Sequence, residues 1–119
     1  MKLNLLVLKS HNIHALKNQY EALGLIFDYH QHGEKSPWHY STDIDGLIFE
    51  IYPLSPKKEV DNSTRLGFEV ENIEQTIEKM LIQNWVIKNP LKTTSYGTVA
   101  VLQDMEGRKI EIKNTVTFE

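Results

Sequence analysis

Two sets of side chains in this 119-residue chain are of types and spacings that could do chemistry. The first is a histidine set. His30 and His32 stand two apart in a run that reads as a strand, so both point to the same face. A hairpin turning between Gly33 and Ser36 would set His39 opposite His30, and three imidazoles that close could bind a transition metal. Such sets are more commonly a half-exposed polar face. That is the reading taken, so neither metal nor cofactor is expected. The second set is Glu50, Arg65 and Glu111. Alternation sends Phe49 and Ile51 to a covered face and Glu50 to the opposite one. The same rule applied to Leu66, Phe68 and Val70 turns Arg65 outward, and applied to Ile110 and Ile112 it turns Glu111 outward. Two carboxylates sharing a site repel, and one is driven toward protonation. A guanidinium beside them supplies the missing cation and can grip a carboxylate with two parallel hydrogen bonds. Tyr52 shares parity with Glu50 and is the best placed aromatic for a pocket, with Trp38 and Tyr40 as further candidates.

Other chemistries are absent. With no cysteine there are no disulfides, thiolate metal sites or thiol nucleophiles. Serines and threonines lack a His-Asp partner at readable spacing, and the six glycines are scattered turn residues that form no phosphate loop. Lys and Arg total 13 against 16 acidic residues, a net charge of −3 shared evenly along the chain. No basic surface is advertised, so nucleic acid and anionic membrane are not expected as partners. No run approaches the ~20 apolar residues of a membrane helix, and no signal peptide is read at the start. A cytoplasmic location is expected.

The elements that must position these groups follow from periodicity. Lys2 to Lys9 reads as a strand. Ser10 and Asn12 offer caps for a helix whose apolar stripe is Ile13, Leu16, Tyr20 and Leu23, stopped at Gly24. Strands follow at Leu25 to His32, Trp38 to Thr42 and, after the Asp45-Gly46 turn, Leu47 to Tyr52. Residues 54–63, with two lysines and small polar residues, read as a linker. Thr64 to Glu71 alternates as a strand. Asn72 caps a helix with the stripe Ile73, Ile77, Met80 and Leu81. Trp85 to Ile87 is a short strand broken by Pro90, Thr98 to Gln103 is another, and Lys109 to Lys113 closes the series.

That order is βαβββ twice. Asp45-Gly-Leu-Ile-Phe-Glu-Ile51 is echoed by Glu106-Gly-Arg-Lys-Ile-Glu-Ile112, and an offset of about 60 residues also aligns Asn12-Ile13 with Asn72-Ile73. The chain therefore reads as one α+β domain, residues 1–119, of two copies: 1–53 and 64–113. Each helix covers one face of its strands. Two such units can form a curled mixed sheet with a concave groove, an ordinary place for a small molecule.

This arrangement resembles the vicinal oxygen chelate superfamily, which includes glyoxalase I, bleomycin-resistance proteins and extradiol dioxygenases. Tyr20-Glu-Ala-Leu-Gly24 is similar to that family's Phe-Tyr-x-x-Leu-Gly helix end. Leu66-Gly-Phe-Glu-Val-Glu-Asn-Ile73 is similar to the opening of its second unit. Asp104-Met-Glu-Gly107 with Ile110-Glu-Ile112 is similar to its closing motif. The resemblance implies one metal ligand from each of four strands, at Leu5, Glu50, Arg65 and Glu111. A hydrocarbon and a permanent cation fill two of them, which implies a metal-free groove lined by these residues. Two functions stay open: a protein that sequesters a small organic molecule, or a lyase, isomerase or dioxygenase with a non-standard metal or acid–base site. A homodimer is expected, with Trp38 and Tyr40 as exposed interface aromatics.

Overall fold

The computed structural model describes residues 1–115. Ten elements run in chain order, and the chain divides into two compact units, Met1–Val60 and a second beginning at Asp61. Unit one holds β1 (Leu5–Ser10), α1 (Ile13–Glu21), β2 (Asp28–His30), β3 (His39–Ile44) and β4 (Leu47–Pro53). Unit two holds β5 (Leu66–Glu69), α2 (Ile73–Ile82), β6 (Val86–Thr94), β7 (Gly97–Gln103) and β8 (Lys109–Asn114). Each unit builds its own four-stranded sheet, ordered β1-β4-β3-β2 in the first and β5-β8-β7-β6 in the second. In each, the first strand lies parallel to the last, and the remaining pairs are antiparallel. The doubled βαβββ reading holds element for element.

The helices start where short polar caps permit. Asn12 and Asn72 each accept a bond from the backbone N–H three residues on, at 3.1 Å in both cases. This satisfies donors that no helical carbonyl can reach. Leu16 and Tyr20 of α1 are fully buried, and the Tyr20 ring lies 5.5 Å from that of Phe49 on β4. One face of sheet one is thus the core face, carrying Leu8, Phe49, Ile51 and Tyr40. Unit two repeats this with Met80, Ala100, Leu102, Ile110 and Ile112. Burial of such side chains contributes roughly 1.5–3 kcal/mol each.

Turn geometry sets the register. Asp45 and Gly46 both take positive φ, 51° and 91°, the backbone a two-residue hairpin needs. Asp43 Oδ1 accepts the Gly46 N–H at 2.7 Å. The ladder then pairs Ile44 with Leu47, Ser41 with Glu50 and Tyr40 with Ile51. Gly107, the echo of Gly46, has φ 90°.

Several expectations need correction. The strand expected over Leu25 to His32 is ordered as a ladder only at Asp28–His30. Beyond it the side chain of Gln31 turns inward to the carbonyls of Glu34 and Ser36 and holds a loop instead. Pro90 does not break its strand: β6 runs from Val86 to Thr94, with register shifts on either side of Asn89. Pro90 falls in the register-shifted segment between Asn89 and Lys92 of an edge strand, a place where proline is tolerated. Leu81, expected in the core stripe, is exposed. Trp85 is buried, as expected of a core residue. The linker begins as part of unit one, since the Leu54 N–H donates to Ser10 O at 2.8 Å and the His11 ring bonds Lys58 O at 2.7 Å.

Candidate functional site

The face of sheet one opposite α1 carries the groups of interest, and strand pairing brings them together. His30 pairs with His39 across β2 and β3, the register expected from the hairpin. Ser41 pairs with Glu50, so the next step along the ladder sets His39 beside Tyr52. Their rings stack with centroids 4.0 Å apart and planes 12° from parallel. Glu50 and Tyr52 are half-buried, and His39 is fully buried beneath them. On β1, Leu5 and Val7 share this face and are exposed, Val7 lying next to Glu50 in the parallel ladder.

The loop after β2 completes a compact set. His30 Nε2 and His32 Nε2 lie 3.3 Å apart, and the His39 ring sits 4.4 and 4.9 Å from the other two ring centres. One ligand-capable atom from each of His30, His32, His39 and Glu50 lies within 4.8 Å of all the others. The loop is braced: Ser36 Oγ donates to the His32 and Gly33 carbonyls, and Gln31 Nε2 donates to Ser36 O at 2.8 Å.

The partners of His39 locate one of its ring hydrogens. Nδ1 faces the Pro37 carbonyl at 3.2 Å, and a carbonyl can only accept, so Nδ1 carries the hydrogen. Nε2 lies 3.2 Å from Glu50 Oε2 but does not meet the geometry of a hydrogen bond, and it is buried without another partner. With a hydrogen on Nδ1, Nε2 is the ring nitrogen that can offer a lone pair to this site. The Tyr52 hydroxyl is pushed above its ordinary pKa, first by burial and then by the negative charge of Glu50.

The remaining sequence candidates are placed as follows. Trp38 is exposed at the entrance of β3 and stacks on Tyr29, centroids 5.0 Å apart. Tyr40 is not an exposed aromatic: it pairs with Ile51 on the core face, and its hydroxyl bonds His14 Nδ1 at 2.7 Å. Alternation requires this once His39 faces the other way. In unit two, Glu111 is half-buried on β8. Arg65 is exposed just before β5 and lines an open hollow with Asn62, Gly107 and Lys109. Among the described residues, Arg65 enters no ion pair with Glu111. What sequence reading missed is that Glu50 belongs with the histidines. It also missed the buried Arg108, whose Nη1 donates to Asp104 Oδ2 at 3.3 Å and Glu106 Oε1 at 3.0 Å.

Fold and site together define an α+β protein of tandem βαβββ units with an imidazole–carboxylate cluster in the first. No family model and no curated protein sequence matches the chain. Solved structures do. A glyoxalase/bleomycin resistance protein/dioxygenase family enzyme from Burkholderia phytofirmans superposes with TM-score 0.76 at 16% identity, over 98% of this chain and 100% of that one. TnmS3, an antibiotic binding protein from Streptomyces sp. CB03234, gives 0.75 at 15% identity, over 98% and 97%. A glyoxalase family protein from Enterococcus faecalis gives 0.65 at 21% identity, over 94% and 96%. The fold is that of the glyoxalase/bleomycin-resistance proteins, the vicinal oxygen chelate architecture. The four positions that the resemblance assigns to a metal do not suit one here, since Leu5 has no donor atom and Arg65 is a permanent cation.

Proposed function

We propose that this protein binds a small organic molecule on the open face of unit one, with no metal held jointly by Leu5, Glu50, Arg65 and Glu111. The observation that supports it most is the composition of that face. Exposed Leu5 and Val7 lie beside half-buried Ile48 and Tyr52, with half-buried Glu50 among them and the exposed charges of Lys9, Asp28 and Asp43 around the margin. An apolar patch with a few placed polar and charged groups is what a site for an organic ligand needs. An antibiotic-binding protein of the same fold is consistent with this reading. A library of natural-product antibiotics, screened by thermal shift, should contain compounds that raise the melting temperature. Val7→Arg should abolish that shift while leaving the ligand-free melting temperature within a few degrees. If no compound shifts the parent, or Val7→Arg binds as the parent does, the reading is wrong.

The enzyme alternative is favoured by one observation, an imidazole nitrogen and a carboxylate oxygen set 3.2 Å apart, both placed to exchange a proton with a bound molecule. Turnover of a bound compound that Glu50→Gln abolishes would put it ahead. We also propose a homodimer, in which the exposed Tyr29–Trp38 stack is a natural contact. Sedimentation showing only monomer at high concentration would remove that part.

A further inference from the structure

We infer that His30, His32, His39 and Glu50 form a binding site for one divalent transition-metal ion, built entirely within unit one. Of the four positions considered above, the set shares only Glu50. Its other donors come from β2, β3 and the loop between them.

Four observations converge on it. Three imidazole nitrogens and one carboxylate oxygen are the donors that Zn²⁺ and its neighbours prefer. A tetrahedral ion with bonds of about 2.0–2.1 Å sets its ligand atoms ~3.3 Å apart. Two of the observed separations are already there: His30 Nε2 to His32 Nε2 at 3.3 Å, and His39 Nε2 to Glu50 Oε2 at 3.2 Å. The other separations, none above 4.8 Å, close by small side-chain rotations. His39 is prepared in the way that metal-bound histidines are, with Nδ1–H donated to a backbone carbonyl and Nε2 left as the ligand. Finally, His39 Nε2 is buried, aimed into the cluster and without a hydrogen bond, which is costly unless something fills the space. A cation between Nε2 and the Glu50 oxygen answers both the stranded lone pair and the unshared carboxylate charge.

With all four donors engaged the ion has no open position, so it would act as a fastener rather than as a Lewis acid. It would tie the 31–37 loop, through His32, to the two inner strands of the sheet, β3 and β4. The inference shares Glu50 with the organic ligand proposed above, and the two are told apart because each is read by a different titration.

The test is calorimetric titration of metal-stripped protein with Zn²⁺ alone, followed by Co²⁺ and visible absorption. One equivalent per chain should bind, and Co²⁺ should give the intense bands of a four-coordinate site. Glu50→Gln and His39→Ala should each weaken Zn²⁺ binding by at least about a hundredfold, the upper end of the cost of losing even a supporting contact. Zn²⁺ should also protect the 31–37 loop from proteolysis. Should His39→Ala fail to fold, Glu50→Gln and the more exposed His30→Asn carry the test. His11→Ala, outside the cluster, should bind as the parent does. Absence of binding overturns the inference. So does binding that survives Glu50→Gln and His39→Ala, which would be surface chelation by His30 and His32 alone.

Discussion

The open faces of the two sheets are built on one frame and carry opposite chemistry. Aligning Glu50 with Glu111, which pair with Ser41 and Val101 respectively, fixes the correspondence. Where unit one has His30 paired with His39, unit two has Lys92 paired with Val99. Where unit one sets Tyr52 next along β4, unit two sets Lys113. The repeat therefore keeps one carboxylate in place and changes everything around it. In unit one its neighbours are imidazoles, an aromatic ring and hydrocarbons, and in unit two they are ammonium groups and hydrocarbons. A shared backbone position does not imply a shared site, and only the pairing partners tell the two glutamates apart.

The turns before the closing strands differ in the same way, and this gives the largest expected effect. Unit one uses an exposed Asp43–Gly46 bond, whereas unit two buries Asp104 against Arg108. Arg108→Ala leaves a buried carboxylate without its guanidinium and should cost about 3–5 kcal/mol in urea unfolding. Asp43→Ala removes one exposed hydrogen bond and should cost no more than about 1 kcal/mol. Equal losses would mean that the two turns carry equal weight, and the contrast would go. The next effect tests what the units share. Gly46→Val and Gly107→Val place a branched residue at φ near +90° and should each cost about 1 kcal/mol or more. Gly107→Val should be the worse, because its Cβ would lie 2.9 Å from the Asn62 amide, whereas at Gly46 it meets only the flexible end of Lys2. Two neutral substitutions would break the alignment of the repeats there. The smallest effect lies at the start of unit two. Asp61 accepts bonds from the Ser63 N–H and hydroxyl, which hold its carboxyl below the usual range. A lowered folded-state pKa means stability that is present above the ordinary carboxylate value and lost as pH falls through the lowered one. Melting curves of Asp61→Asn and parent should therefore differ at neutral pH and converge in acid. A difference that grows in acid would contradict the assignment.

Much of this was legible in the sequence, because the signals were local. Asn12 and Asn72 announce their helices, Asp45-Gly46 announces its hairpin, and the apolar alternation of β4, β5 and β8 announces which face is buried. The His30–His39 pairing could be read from a single turn. What escaped needed two registers at once. Counting back from Asp45-Gly46 pairs Ser41 with Glu50, and only when that is joined to the β2–β3 pairing does Glu50 arrive beside the histidines. The same count puts Tyr40 on the core face, where neither composition nor aromatic character would send it. Pro90 misled because proline is a strand breaker in the middle of a sheet but not at its edge, and edge position is a property of the whole topology. The pairing of Arg108 with Asp104 and Glu106 also escaped, since burial of a charged side chain leaves no periodic trace.

The parallel pairing of β1 with β4, and of β5 with β8, bears on the order in which the molecule assembles. β2, β3 and β4 are joined by short connections and can zip as a meander, while β1 must wait for a partner most of a unit away along the chain. Closing that long loop costs entropy before any ladder bond repays it, so the parallel seam forms late. Substitutions in β1 should accordingly speed unfolding far more than they slow folding. The His30, His39 and Glu50 side chains lie on the early-forming meander, so their cluster can exist before the sheet that carries it is complete.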